Sequence, residues 1–181
     1  MPTTHVACVA FTHIPELGGW VTICQQRNEF NAESPTGYKK QSFAGVFSPM
    51  FNEKMEANDE GSLSSTLSRG ANEELDHEAA DILLQILEKS GGPFSIYDEI
   101  DQDGDRHVVF VASVPSTILK EIRGEVSGTF KLRTKSQIEE AVESTDGDKN
   151  GVQDGQMKFR PHHLIAMRKA WKWLESTHPS R

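Results

Sequence analysis

The chain has 181 residues, of which 36% are hydrophobic and 25% charged, and its formal net charge at pH 7 is −8. We expect one domain over residues 1–181, since this length supports a sizeable core. The acidic balance argues against general nucleic-acid binding, which depends mainly on lysine and arginine. The sequence has no run of 18 apolar residues and no signal-peptide pattern, so we expect a soluble protein without membrane contact.

The first predicted elements are two strands. His5–His13 is rich in valine and other apolar residues, and Trp20–Arg27 repeats that pattern beyond the Ile14–Gly19 turn, so the pair predicts a hairpin. Cys8 and Cys24 fall inside these apolar segments. They indicate buried thiols in a reducing compartment, and the expected location is cytoplasmic.

A short strand and an acidic segment follow. Gln41–Phe47 predicts a strand in which Gly45 indicates a bulge or a close backbone approach. Ser48–Glu60 carries several carboxylates and is interpreted as a solvated acidic loop. The alternative is that Glu56 or Glu60 adds a ligand to a metal site.

The segment Gly61–Leu75 predicts an amphipathic helix. Its apolar residues recur every four positions, at Leu63, Leu67, Ala71 and Leu75. Arg69 and Glu73 are also four apart, which allows an ion pair on the helix surface, and Glu74 lies beside them. Neighbouring carboxylates on a rigid helix suit a hard divalent cation such as Mg2+. The other interpretation is a surface ion pair contributing under about 1 kcal/mol.

The rest of the chain alternates helices and strands. Asp76 predicts the cap of a second helix that runs to about Lys89. Phe94–Ile100 and Arg106–Val114 predict a hairpin around Asp101–Asp105. The further predictions are a helical turn within Ser116–Gly124, a strand at Gly128–Thr134 and a short helix at Ser136–Val142 with Ser136 and Glu139 as its capping box. The last is an amphipathic C-terminal helix, His162–Leu174, whose apolar residues are expected to pack on the sheet, namely Leu164, Met167, Ala170, Trp171 and Leu174. The element order is that of a mixed α/β domain.

Two other patterns suggest metal binding. Asp146–Asp154 resembles the start of a calcium loop, but Met157 stands where the bidentate glutamate is needed, and a polar loop is favoured. His162 and His163 are able to contact an anion or a metal. Because adjacent residues of a helix point in different directions, we do not expect them to share one metal.

The segment around Arg69 resembles the Nudix box, the signature of the Nudix hydrolase superfamily. Arg69, Ala71, Glu73 and Glu74 match the box, and Ala44-Gly45 resembles its opening Gly-Gly. Gly70 and Gly61 stand where the box has glutamates, and the loop at 48–60 lengthens the region, which spans about 44–76. The resemblance implies a Nudix-type alpha/beta/alpha sandwich with a mixed sheet.

The resemblance also implies a chemistry. Glu73 and Glu74 correspond to ligands of Mg2+ or Mn2+, Arg69 orients a carboxylate, and the backbone carbonyl near Ala44 or Gly45 completes the set of ligands. Gly70 either opens room for a ligand or records a lost catalytic role. Glu78 is a candidate for a compensating carboxylate if the helix continues beyond Glu74. The resemblance also implies an acidic residue from a later loop, for which Glu121 and Glu125 are the candidates, and the alternative for each is an ordinary solvated carboxylate.

Three functions follow as hypotheses. The first is a Mg2+-dependent hydrolase that cleaves a diphosphate linkage in a nucleotide-derived small molecule. The second is a catalytically impaired member of the same fold that binds a nucleotide or a protein without turnover, and the third is an acidic interaction surface. Homodimers are frequent in the family that the box resembles, so a homodimer is a further expectation.

Overall fold

A computed structural model describes residues 1–27, 45–89, 92–120, 128–144 and 157–179. Its strands are β1 (Thr4–Ile14), β2 (Gly19–Arg27), β3 (Phe47–Ser48), β4 (Phe51–Lys54), β5 (Ser95–Ile100), β6 (Arg106–Ser113), β7 (Gly128–Arg133), β8 (Val142–Glu143) and β9 (Lys158–Phe159). Its α-helices are α1 (Leu63–Glu74), α2 (His77–Lys89), α3 (Lys135–Glu140) and α4 (Pro161–Thr177). Short 3-10 helices occupy Pro15–Leu17, Ala57–Asp59 and Ser116–Lys120.

The strands form one mixed sheet in which β1 is central. β1 runs parallel to β6 on one side. On its other side it is antiparallel to two strands, pairing with β4 through His5–Cys8 and with β2 through Ala10–Ile14. The β1–β2 and β5–β6 hairpins predicted from the sequence are both present.

Helices cover both faces of this sheet. Alternate residues of β1 point to opposite faces: Val6, Cys8 and Ala10 join the core cluster that contains residues of α1 and α2, whereas Ala7, Val9 and Phe11 join the cluster that contains residues of α4. Burial of both faces explains why β1 is a continuous apolar run. The predicted alpha/beta/alpha sandwich with a mixed sheet is confirmed.

The C-terminal helix packs as predicted. The residues of α4 expected to face the sheet are all buried, namely Leu164, Met167, Ala170, Trp171 and Leu174. The two cysteines are buried free thiols, as expected. Burial in apolar surroundings raises the pKa of each thiol to about 12, so both stay protonated at neutral pH. In the part of the chain that the structure describes, no helix is both long enough and apolar enough to cross a bilayer.

The predicted cap of the short helix α3 is wrong by two residues. Thr134 caps this helix, because its hydroxyl accepts from the Gln137 backbone N–H at 3.4 Å while the Gln137 side chain accepts from the Thr134 N–H at 2.8 Å. This reciprocal pair satisfies two N–H groups at the helix start. Ser136 therefore lies inside the helix rather than at its cap.

The interpretation of Ser48–Glu60 as a solvated loop is also wrong in its main part. Phe51–Lys54 is the strand β4, paired with β1, and Phe51 is fully buried. The side chain of Glu53 is only 15% exposed, and Asp59 is buried. Glu60 is exposed, as expected of a loop residue. The carboxylates of this segment are thus divided between the interior and the solvent by the strand and the 3-10 turn.

Candidate functional site

Helix α1 presents the residues that match the box. The Ser62 hydroxyl caps its start by accepting from the Ser65 backbone N–H at 3.2 Å. The predicted apolar stripe packs against the sheet, with Leu67, Ala71 and Leu75 buried. Burial of this stripe fixes the rotation of the helix and turns the polar side of α1 toward β4 and the 3-10 turn at Ala57–Asp59.

The guanidinium of Arg69 is the centre of a group of carboxylates, which we call the Arg69 cluster: Glu53, Glu56, Asp59, Arg69, Glu73 and Glu74. Arg69 Nε and Nη2 donate to the two oxygens of Asp59, at 3.2 and 3.1 Å. Nη1 donates to Glu53 Oε2 and to Glu73 Oε2, both at 3.2 Å, and lies 3.9 Å from Glu56. Nη2 also donates to the Lys54 carbonyl. The planar guanidinium suits the bidentate contact with Asp59. Together, the contacts of Arg69 join α1 to β4 and to the 3-10 turn.

Asp59 is the best satisfied carboxylate of the cluster. Besides Arg69, it accepts from the Thr66 hydroxyl at 3.0 Å and from the Glu56 backbone N–H at 2.8 Å. These donors favour the ionised form, and the hydrogen bonds from Arg69 have the largest effect, so the pKa of Asp59 falls to about 2. The sequence analysis did not single out this residue.

Gly61 stands where the resembled box has a glutamate, and the carboxylate of Asp59 lies two positions earlier. Gly61 has φ +73°, a left-handed conformation that L side chains rarely adopt. Position 61 therefore serves the turn into α1, while the carboxylate that holds Arg69 comes from two residues earlier. The spacing of Glu56 and Asp59, whose side chains each bond the other's backbone, is the sequence signal that was available for this turn.

Glu53 occupies the space that a side chain at position 70 would need. A Cβ atom built on Gly70 would lie 2.4 Å from Glu53 Cγ and 3.0 Å from the Phe51 ring. The absent side chain on α1 thus leaves room for a carboxylate from β4. The compensating carboxylates predicted from the sequence lie further along the chain, and Glu53 was not among them.

The surroundings of Glu53 disfavour its ionised form. Burial makes the largest contribution, the nearby charges of Glu73 and Glu74 add to it, and Arg69 opposes it, so the pKa of Glu53 rises to about 7. A carboxylate with such a pKa exchanges a proton near neutral pH. Perturbation of this kind is enriched at functional sites.

Glu73 and Glu74, the two predicted metal ligands, are held by different partners. Glu73 Oε2 contacts Arg69, as the spacing predicted. Glu74 Oε2 accepts from Gln25 Nε2 of β2 at 2.9 Å. Adjacent helix positions diverge by about 100° around the axis, which explains the two directions.

The remaining predicted ligands are dispersed. The Gly45 carbonyl accepts from Gln26 Nε2 at 3.2 Å. Gln26 directly follows Gln25, which donates to Glu74. Glu78 is exposed in the first turn of α2, and the helix does not continue from Glu74, because α2 begins anew behind Asp76, whose side chain accepts from the Glu78 N–H at 3.2 Å. Glu121, Glu125 and the loop at 146–154 lie outside the described residues.

The chemistry of the Arg69 cluster fits a hard divalent cation. Its donors are carboxylate oxygens, the ligands that a hard cation prefers, and the charges of Glu73 and Glu74 add to the effect of burial in raising the pKa of Glu53. Among the described residues, the group whose ligand atoms lie within 4.8 Å of one another is elsewhere, at Asp101, His107 and His162. In the Arg69 cluster, the contacts of Glu53 and Glu73 with Arg69 and of Glu74 with Gln25 draw the carboxylates apart.

Comparison with solved structures identifies the fold. A MutT/nudix family protein from Enterococcus faecalis superposes with a TM-score of 0.60 and 11% identity over 97% of this chain, which spans 63% of the length of that protein. The NUDIX domain of Shewanella oneidensis NrtR, in complex with ADP ribose, gives 0.57 with 14% identity, covering 96% of this chain and 89% of that one. A NUDIX hydrolase from Alicyclobacillus acidocaldarius gives 0.51 with 10% identity, covering 97% and 96%.

At these identities the likeness demonstrates the Nudix fold and no finer property. No model of a protein family matches the sequence. No curated protein matches it either.

Proposed function

We propose that this chain is a Nudix-type hydrolase that cleaves a diphosphate linkage in a nucleotide-derived small molecule with Mg2+ or Mn2+. The observation that carries the proposal is the position of Glu53 over Gly70, which supplies a carboxylate where the box sequence lacks one. The fold likeness supports it, and one protein of this fold is described in complex with ADP ribose, a nucleotide diphosphate.

Glu73 and Glu74 would hold the cation, and the Gly45 carbonyl and Glu125 are further ligands proposed from the resemblance. The cation would supply charge neutralisation of the diphosphate and a water of lowered pKa. Glu78 stays outside this proposed set, since it belongs to a separate helix.

Glu53 is the proposed general base. Its pKa of about 7 matches the range in which a base accepts a proton efficiently at neutral pH. Arg69 is a positioning residue, since its Nη1 contacts both Glu53 and Glu73 at 3.2 Å. The Asp59 carboxylate fixes the guanidinium from its other side. One arginine thus orients both the proposed base, Glu53, and the proposed ligand Glu73.

The test is hydrolysis of a panel of nucleoside diphosphate derivatives, including ADP ribose, with Mg2+ or Mn2+. We expect release of phosphate or a mononucleotide by the wild-type chain and a loss of about 100-fold or more in Glu74→Gln. Glu78→Gln is the matched control, since it removes an exposed carboxylate one turn further on. Turnover by Glu74→Gln with unchanged metal dependence would contradict the assignment.

The second candidate is a protein of this fold that binds a nucleotide without turnover. The glycine at position 70, where the resembled box has a glutamate, favours it. Calorimetry with ADP ribose and related diphosphates separates the two functions. Binding without any product under excess Mg2+ and Mn2+ would support the binding protein and reject the hydrolase.

A further inference from the structure

A second cluster of ionisable side chains lies outside the box. It consists of Asp101, His107 and His162, and we call it the Asp101 cluster. Asp101 directly follows β5, His107 lies near the start of β6, and His162 is in the first turn of α4. Asp101 Oδ2 is 2.8 Å from His107 Nε2 and 3.9 Å from His162 Nε2, and the three candidate ligand atoms all lie within 4.8 Å of one another.

Neighbouring groups orient two of these side chains. Asp101 Oδ1 accepts from the backbone N–H groups of Asp103 and Asp105, both at 2.9 Å, which directs Oδ2 toward the histidines. The Tyr97 hydroxyl lies 3.1 Å from His162 Nδ1. Contacts of this kind to the other nitrogen of a ligating histidine fix its ring orientation in metal sites.

The imidazole of His107 stacks on two neighbouring imidazoles. The His107 ring lies parallel to His162, with centroids 4.1 Å apart, and to His5, with centroids 5.2 Å apart. The stacking places the nitrogens of His107 and His162 beside the Asp101 carboxylate, at 2.8 and 3.9 Å from Oδ2.

The Asp101 cluster is separate from the Arg69 cluster. His107 occupies the same alternation of β6 as Val109 and Val111, which belong to the core on the α4 side of the sheet. Glu53 pairs in register with Val6, which belongs to the core on the α1 side. The two clusters therefore lie on opposite faces of the sheet.

We propose that Asp101, His107 and His162 bind one divalent transition metal ion of the Zn2+ class. Two imidazoles and one carboxylate are typical donors for such ions, whereas Mg2+ prefers oxygen ligands alone. Tetrahedral donors at bonds of about 2.0 to 2.1 Å lie roughly 3.3 Å apart. The observed separations of 2.8 and 3.9 Å bracket that value, so small side-chain movements complete the site.

The ion would have protein ligands from three elements and one open position. The side chains of Asp101, His107 and His162 are 14, 16 and 30% exposed, which allows entry of the ion from solvent. Bound there, it would tie the β5–β6 hairpin to the start of α4. Metal binding should therefore raise the melting temperature, since the ion stabilises the folded state alone.

The test uses the full chain freed of metal with a chelator, and ZnCl2 as the only probe. Calorimetry should detect one equivalent of Zn2+, and His162→Gln and Asp101→Asn should each weaken binding by at least about tenfold. Co2+ in place of Zn2+ should give the visible absorption of a tetrahedral nitrogen and oxygen site, and the same variants should abolish it. Circular dichroism of the metal-free variants checks that each one folds.

Two control variants keep the result specific. His77→Gln removes an exposed histidine that lies 3.6 Å from a carboxylate of its own, Asp81, and should bind Zn2+ as the wild type does. Glu74→Gln alters the Arg69 cluster and should also leave Zn2+ binding unchanged. Absence of Zn2+ binding by the wild type, or wild-type binding by folded His162→Gln, would overturn the proposal and would leave the hydrolase assignment standing.

Discussion

The two clusters of ionisable groups differ in what occupies their centres. In the Arg69 cluster a guanidinium already lies among the carboxylates and holds three of them at 3.2 Å or less. In the Asp101 cluster the candidate ligand atoms face one another and lie within 4.8 Å of one another. The first arrangement fixes three carboxylates around one guanidinium. The second arrangement places three potential metal ligands next to one another.

The comparison shows that a sequence motif on one helix does not identify all the residues of a site, because some come from the segments that pack against the helix. The helix residues of the Arg69 cluster were predicted from sequence, yet its most perturbed carboxylate, Glu53, comes from a strand outside that helix. The Asp101 cluster matches no motif, yet its donors lie close together. Substitutions can test whether the two clusters are independent and whether Glu53 replaces the side chain that is absent at Gly70.

The largest effect is expected for Glu53→Gln. Loss of the proposed base should lower turnover by about 100-fold or more and should remove the rise in activity near pH 7. Glu53 has a raised pKa in the folded state, so the stability it contributes is present in acid and is lost as pH rises toward about 7. Because solvent screening and the lost contact with Arg69 reduce this effect, the variant should gain only about 1 kcal/mol above pH 7, measured by urea unfolding.

Lower turnover together with higher stability in Glu53→Gln would distinguish a catalytic role of Glu53 from a structural one. A purely structural Glu53 would give a variant that loses stability and activity together at pH 8. Zn2+ binding at the Asp101 cluster should not change in Glu53→Gln, and a change there would show that the clusters are coupled through the sheet.

The next largest effect is expected when the carboxylate is moved from position 53 on β4 to position 70 on α1. Gly70→Glu alone should destabilise the protein by about 1 to 3 kcal/mol, because its Cβ would collide with Glu53 and the Phe51 ring. The double variant Gly70→Glu with Glu53→Ala removes the collision with Glu53 and returns the carboxylate to the helix. It should recover stability and activity relative to either single variant, as a double-mutant cycle measures. Additive losses would contradict the exchange.

A smaller effect is expected from Asp59 in acid. The pKa of Asp59 is lowered from 3.8 to about 2, so the stability it contributes is present above pH 3.8 and is lost as pH falls toward 2. Urea unfolding from about pH 5 to about pH 2.5 should therefore show a steeper decline for the wild type than for Asp59→Asn. Equal slopes would mean that Arg69 does not hold Asp59 in solution.

The smallest effect is expected at Thr66. Thr66→Val removes the hydroxyl that donates to Asp59 at 3.0 Å and should cost about 1 kcal/mol. Thr66→Ser keeps the hydroxyl and serves as the matched control, so a loss in Val that exceeds the loss in Ser reports the hydrogen bond. Neither variant should alter Zn2+ binding at the Asp101 cluster.

Local patterns predicted most of the elements. The four-residue repeat of Leu67, Ala71 and Leu75 defined α1, and the same spacing paired Arg69 with Glu73 at 3.2 Å. Helix periodicity acts over one or two turns, so the chain segment itself contains the information. The same is true of the two hairpins and of the buried face of α4.

Contacts between elements were not predictable in this way. Arg69 bonds Asp59 and Glu53 from 10 and 16 positions away, and both residues looked like members of a solvated loop. The pairing of β4 with β1 turned that segment into the sheet and buried Phe51. The acidic composition of this segment predicted a solvated loop, but backbone pairing with His5–Cys8 of β1 made part of it a strand.

The sequence alone determined the order of the elements, the helix that presents Arg69, Glu73 and Glu74, and the likeness to the Nudix box. Only the tertiary structure decided that Glu53 fills the space above Gly70, that Asp59 holds Arg69, and that Asp101 meets two histidines. The reason is physical: periodicity follows from backbone geometry within one segment, whereas the pKa and the contacts of a side chain depend on the segments that pack against it.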